Sequence, residues 1–511
     1  MTLQEKIGQR LMTGFPGTEM TEEFIETVKK HKIGNVILFR ENVRDCEQLR
    51  KLCAEIQDLV RRETGHSAII AIDQEGGIVT RLKEDAVNVP GAMALGATGD
   101  PENARKAGVL IGRELRALGP NFNFAPTVDV NSNHKNPVIG VRSYSDDPHT
   151  VARFAEQSVQ GLLEGGVPCT TKHFPGHGDT DLDSHLALPC VDKSLEELEN
   201  LELIPFQAAI RAGVTAVMTA HILYPQIEPD PVPATMSRRI VQGILREKLG
   251  FQGIVISDCM EMAAIRSHYG IPEGTLAAFK AGVDLVEITH HPLWCTEAAV
   301  RILEAAQAGE LDMEEMDASV NRILQCKEQW IEPEQAVDFD FAAAAKESRL
   351  LMEQTITEVQ RPSVPFAVTN PLCIGCGAYR ASLVGNVDLG QGNTFGSQMA
   401  QLLNGTCADM DRDPAPEAIE ALVAQAKNHG CAVVGTFNAV FNPGQLQLIR
   451  ALADNGIPTA VVALRIPYDL LDLPETVWGI AAYEYSPESI LATAKVLLGE
   501  LAPTGKLPVH P

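Results

Sequence analysis

Val167-Pro168-Cys169-Thr170-Thr171-Lys172-His173-Phe174-Pro175-Gly176-His177-Gly178-Asp179-Thr180 passes from a β-rich apolar run straight into glycine, proline, histidine and aspartate. Residues 167–171 read as a buried strand, and Lys172-His173 close it with charge. Gly176, Gly178 and Pro175 hold the following segment off any regular helix, and polar groups gathered there are costly unless they meet partners. An apolar strand with a charged C-terminal end is the unit of a parallel α/β sheet, provided its neighbours repeat the pattern.

They do. Short apolar runs at 33–39, 68–72, 122–128, 214–219, 253–257 and 283–288 join the one at 167–171, with amphipathic segments such as 101–118, 148–164 and 195–212 between them. Asp73-Gln74-Glu75, Asp129, His221, Asp258 and Glu287 end the other runs, as Lys172-His173 end this one. Polar residues collected at strand C-termini are the signature of a barrel's catalytic face, so the fold expected is α/β, a (β/α)8 TIM-type barrel. It spans 1–330, followed by a connector over 331–363 in which 339–360 reads as one long helix. A smaller α/β three-layer sandwich then occupies 364–511. Its expected strands are 366–369, 432–436, 459–464 and 479–483, and its expected helices lie near 396–403, 443–453 and 487–498.

Composition narrows the class. The chain has 511 residues, of which 45% are hydrophobic and 21% charged, enough for a large core. Its net charge of −25 at pH 7 (42 basic against 67 acidic) argues against nucleic acid or an anionic membrane as partner. No apolar run reaches the roughly 18 residues of a transmembrane helix, and the start carries charges where a signal peptide needs an apolar core. The 11 cysteines lack disulfide-style spacing, which suits a reducing cytoplasm. Cys373-x-x-Cys376 has no second pair and reads as structural.

Asp183 and His185 stand two apart in the same polar segment. A carboxylate at one imidazole nitrogen fixes the tautomer and leaves the other nitrogen for proton transfer; a loop-stabilising hydrogen bond would use the same pair. Asp258 follows 253–257 beside Met260 and Met262, the placement of a nucleophile at an anomeric carbon or of a helix N-cap. His173, His177, Asp179, Asp183 and His185 also invite a metal reading. All five come from one Gly/Pro loop, unlike ordinary ligand spacing, so neither metal nor other cofactor is expected.

The stretch Lys172 to His185 resembles the acid/base loop of the glycoside hydrolase family 3 β-N-acetylhexosaminidases. Asp73-Gln74-Glu75-Gly76-Gly77-Ile78-Val79-Thr80-Arg81-Leu82 is similar to that family's early substrate-binding segment. Phe124-Ala125-Pro126-Thr127-Val128-Asp129, Gly140-Val141-Arg142-Ser143-Tyr144, Pro233-Ala234-Thr235-Met236-Ser237 and Ser257-Asp258 match as well. The likeness runs from about residue 3 to 330 and reaches the ending Thr504-Gly505-Lys506-Leu507-Pro508-Val509. It implies Asp258 as nucleophile, His185 as acid/base oriented by Asp183, and Asp73, Arg81, Arg142, Lys172 and His173 as sugar-binding residues. Ion pairing is the bland alternative for the two arginines.

The implied activity is that of an exo-acting, retaining β-N-acetylglucosaminidase. It would remove terminal N-acetylglucosamine from amino-sugar glycosides such as cell-wall muropeptides. A histidine base changes one term: a carboxylate base would repel an anionic acceptor by roughly 4 kcal/mol at about 4 Å, and neutral imidazole does not. Phosphate as acceptor, which would make the protein a β-N-acetylglucosaminide phosphorylase, is therefore the alternative, and a non-catalytic sugar-binding protein the third reading. Two local expectations complete the set. Cys259 packs beside the nucleophile and sensitises the site to thiol reagents. The glycine-rich stretch 385–396 resembles a phosphate-cradling loop but lacks the full strand–loop–helix fingerprint, and reads as structural.

Overall fold

Eight short parallel strands close on themselves in the computed structural model, which describes residues 1–180, 188–332, 337–378 and 393–510. They are β1 (Leu11–Thr13), β2 (Asn35–Leu38), β3 (Ile69–Ile72), β4 (Phe122–Asn123), β5 (Thr170–Phe174), β6 (Ala216–Thr219), β7 (Ile254–Ser257) and β8 (Val286–Ile288). Hydrogen bonding runs β4-β3-β2-β1-β8 and β5-β6-β7. Single bridges at Asn123–Cys169 and Thr127–Lys172 join β4 to β5, and Ile256–Leu285 joins β7 to β8. The expected barrel is present, with β1 added to the seven strands read from the sequence.

Alternation along each strand separates two cores. Ile69 and Ala71, Ile254 and Ile256, and Leu285 pack inside the barrel with Met12, Ile37, Phe122, Phe124 and Met218. Ile70, Ile72, Val255, Val286 and Ile288 face outward to the helices. Ile323, Cys326 and Ile331 plug the N-terminal end, where the buried Lys327 ammonium donates to Gln9 Oε1 (2.7 Å) and to the Gly34 carbonyl (2.9 Å). At the opposite mouth the inward register continues one step past the apolar layer, onto Asp73, Asp258 and Glu287.

The second unit is a six-stranded sheet of β9 (Thr357–Gln360), β10 (Pro371–Gly375), β11 (Thr406–Asp409), β12 (Cys431–Thr436), β13 (Thr459–Ala463) and β14 (Val477–Ala481), ordered β11-β10-β12-β13-β14-β9. All pairings are parallel except β9 with β14. Helix Phe395–Leu403 packs with Pro487–Leu497, and Pro416–Ala426 packs with Pro443–Asp454. Right-handed crossovers running in opposite directions from β10 put these pairs on opposite faces, giving three layers.

Several expected elements move. The helix read over 339–360 is Phe341–Thr355, and 357–360 is instead the antiparallel edge strand. The strand read at 366–369 lies at Pro371–Gly375, and β11 was not expected. Asp183, His185 and residues 385–392 of the glycine-rich stretch lie outside the described residues.

The sheet unit docks on barrel loops that also serve the mouth. The Gly91 amide donates to Glu484 Oε2 at 2.9 Å, Asn131 Nδ2 to the Tyr468 hydroxyl at 2.9 Å, and the Lys506 amide to the Ala97 carbonyl at 2.7 Å. Under these loops, helices Glu102–Leu118 and Pro148–Glu164 meet through glycines. A Cβ on Gly161 would stand 2.2 Å from the Arg105 carbonyl oxygen. Gly161→Ala gains about 1 kcal/mol of helix propensity, but overpacking against backbone costs about 1–3 kcal/mol or more. The variant is expected to unfold at lower urea concentration than the parent; an unchanged or higher midpoint would show that the helices can separate freely.

Candidate active site

Lys172 decides the geometry of the mouth. Its side chain is 2% exposed, and its ammonium lies 2.7 Å from Asp73 Oδ1 and 2.8 Å from Glu75 Oε1. The end of β3 is thereby tied to β5. Arg81 Nη2 meets the other Asp73 oxygen at 3.2 Å. Arg142, from the turn Gly140–Arg142, forks onto Glu75 with Nη2–Oε1 at 2.7 Å and Nε–Oε2 at 3.0 Å, the bidentate geometry that distinguishes Arg from Lys. His173 Nδ1 lies 2.7 Å from Asp129 Oδ2, and the His177 amide donates to Asp129 Oδ1 at 2.7 Å.

Burial works to raise the Asp73 and Glu75 carboxyls, but the neighbouring cations outweigh it. Lys172 and Arg81 hold Asp73 below the usual carboxylate range, and Arg142 and Lys172 hold Glu75 well below it. Burial likewise opposes ionisation of Asp129, and His173 and His177 overcome it. His177 goes the other way: burial and the neighbouring His173 lower it from 6.5 to about 4. Among the described residues Glu287 has no such cation in contact. Burial first, then Asp258 and Asp73, push its carboxyl well above the usual range.

A cleft of ≈ 580 Å³ brings together Asp73, Arg81, Arg142, Lys172, His173 and Asp258. All six of these residues singled out from the sequence therefore line one space, the two arginines being ion-paired as well. Its floor is the apolar layer of Ile37, Phe124 and Met218, and among the described residues every lining side chain belongs to the barrel. Asp258 Oδ1 accepts from the Cys259 amide at 2.7 Å. Cys259 Sγ lies 2.9 Å from Thr289 Oγ1, and burial first, then Glu261, push its thiol up, the setting of a packed rather than a reactive sulfur. His221 serves the scaffold, with Nδ1 2.9 Å from Thr235 Oγ1 and Nε2 3.0 Å from the Cys259 carbonyl.

Sequence reasoning left out several contributors. Glu75 and Asp129 anchor the cations and imidazoles but were read only as strand-end polar residues. Phe39, Glu261, Arg266, His290 and His291 form the rim, with His290 against Phe39 and His291 bonded through Nδ1 to Glu261 at 2.6 Å. No motif marked them; their signal was position after β2, β7 and β8.

Comparisons with known proteins agree with this architecture. The family model described as the N-terminal domain of glycosyl hydrolase family 3 matches residues 2–326. A β-hexosaminidase A of Pseudoalteromonas piscicida is 36% identical over 368 residues, which are 64% of this chain and 61% of that protein. A β-hexosaminidase of Xylella fastidiosa is 38% identical over 289 residues, 55% of this chain and 84% of its own. The solved structure of a glycoside hydrolase family 3 β-N-acetylglucosaminidase from Paenibacillus sp. is 38% identical with a TM-score of 0.92, covering 100% of this chain and 99% of that one.

His177 yields a stability prediction. Its folded-state pKa of about 4 lies below the ordinary 6.5, so the unfolded chain binds more protons between these values. Its contribution is therefore complete above pH 6.5 and is lost as pH falls toward 4, by about 3 kcal/mol in total. Urea unfolding across this window should show that loss, and His177→Gln should flatten it. An equally steep dependence in the variant would contradict the assignment.

Proposed function

This chain belongs to glycosyl hydrolase family 3, and from that membership and the geometry of the cleft we propose that it is an exo-acting, retaining β-N-acetylglucosaminidase. Asp258 attacks the anomeric carbon of a terminal N-acetylglucosamine, forming a covalent glycosyl-enzyme. His185, oriented by Asp183, protonates the departing oxygen and then activates water. Asp73, Arg81, Arg142, Lys172 and His173 hold the sugar. The observation that carries this reading is the convergence of Asp258 with the Asp73–Lys172–Arg81 lattice on one apolar-floored cleft. Charged groups of that kind reject sugars lacking the matching hydroxyls, because a buried charge is then left unpaired. The acid/base pair rests on family resemblance, being outside the described residues.

The proposed substrates are amino-sugar glycosides such as muropeptides, and the proposed compartment is the cytoplasm. All 11 cysteines are free, as suits a reducing environment. No helix among the described residues is long and apolar enough to cross a membrane.

Turnover of 4-nitrophenyl N-acetyl-β-glucosaminide is expected, and Asp258→Ala should lower kcat/KM by roughly 10³-fold or more without changing the thermal midpoint by more than a few degrees. NMR of the products in phosphate buffer should show free N-acetylglucosamine with the β-anomer formed first. Sugar-1-phosphate as the main product would replace hydrolysis by phosphorolysis. Sugar binding without turnover would overturn the enzymatic reading.

A further inference from the structure

Glu287 is a buried acid whose side chain has no hydrogen-bond partner among the described residues. It sits in β8, 2% exposed, and its inward register follows that of Leu285 into the cleft. Its backbone amide donates to the Ser257 hydroxyl oxygen at 2.9 Å. Its side chain makes no hydrogen bond or ion pair among the described residues, and its Oε1 is fully buried without a partner. The charged groups facing it are Asp258 from β7, Asp73 from the end of β3 and Lys172 from β5, and the Lys172 ammonium is already engaged by Asp73 and Glu75.

Such a placement is costly. An unpartnered buried polar group forfeits its water bonds, and a carboxylate between two others would add repulsion. In the layer around it Asp73, Glu75 and Asp258 stand against Lys172, Arg81 and Arg142, and the Asp129 carboxylate is hydrogen-bonded to His173 Nδ1. A fourth uncompensated negative charge would break that balance, so the neutral acid is the form the surroundings favour. As a neutral acid the side chain offers one hydrogen-bond donor and further acceptor capacity, aimed at the space beside Asp258.

We propose that Glu287 is a specificity-determining residue, a neutral carboxylic acid that donates a hydrogen bond to one hydroxyl of the sugar held beside Asp258. The inference rests on the reading of this cleft as a glycosidase site. An acid without a protein partner among the described residues finds one when that hydroxyl arrives, and penalises any sugar lacking it.

The test uses the full chain, as parent, Glu287→Gln and Glu287→Leu, with 4-nitrophenyl N-acetyl-β-glucosaminide and its 3-, 4- and 6-deoxy analogues. The parent should penalise the deoxy analogues in kcat/KM, one of them by about 10²-fold or more through Glu287. Glu287→Leu should collapse that one penalty to within about threefold and leave the other two unchanged. Glu287→Gln, which keeps a donor, should retain most of it. Removing an orphan buried acid should also raise the thermal midpoint of Glu287→Leu. Unchanged penalties in Glu287→Leu would overturn the proposal, as would a joint fall of all three with lost thermal stability, the mark of a scaffold role. Glu287→Gln as impaired as Glu287→Leu would overturn the neutral-donor assignment. A parent that turns over none of the glycosides would overturn the glycosidase reading together with this one.

Discussion

Burying an ammonium costs several kcal/mol unless carboxylates and hydrogen bonds meet it, and at Lys172 two carboxylates do. The contacts to Asp73 and Glu75 require the ends of β3 and β5 to stand at one mouth of the barrel, on either side of β4. Arg81, from the loop after β3, and Arg142, from the turn Gly140–Arg142, then complete the coordination of the same two acids. Much of the loop architecture at the mouth follows from satisfying these few charges. Replacing one member leaves another buried and unpaired, which is why such lattices behave as units rather than as sums of pairs.

The lattice also divides labour among the acids. Asp73, Glu75 and Asp129 are committed to cations or imidazoles, and Glu287 is pushed toward its neutral form. Among the carboxylates at the ends of these barrel strands, Asp258, which follows β7 at the cleft, is the one for which the attacking role is proposed. The sheet unit approaches from behind: Glu484 takes the Gly91 amide and Tyr468 takes Asn131. Its contacts brace loops neighbouring Glu75 and Arg142, while the described lining of the cleft remains the barrel's own.

How much of this was legible in the sequence depended on whether local pattern and tertiary role coincided. Buried parallel strands such as β3, β7 and β8 announce themselves as apolar runs ending in charge, so the barrel and most of the cleft could be read directly. β1 could not, because Leu11–Thr13 is three residues following helix Leu3–Gln9 almost without a break. β9 was absorbed into a helix because Thr357-Glu358-Val359-Gln360 contains no breaker, and only pairing with β14 makes it extended. β11 is a largely exposed edge strand, Thr406-Cys407-Ala408-Asp409, with no apolar alternation to reveal it. In the site, Asp129 and Glu75 were visible as polar strand ends, but their anchoring role needed the third dimension. Glu287 was visible in the same way, and its lack of side-chain partners among the described residues was not.

The most direct test of the account is to trap the glycosyl-enzyme with a fluorinated N-acetylglucosaminyl donor bearing a good leaving group, then locate the sugar by tandem mass spectrometry of the digested protein. The account predicts stoichiometric inactivation with the label on Asp258. A label on Glu261 or Glu287, or inactivation that leaves every carboxylate unmodified, would contradict it.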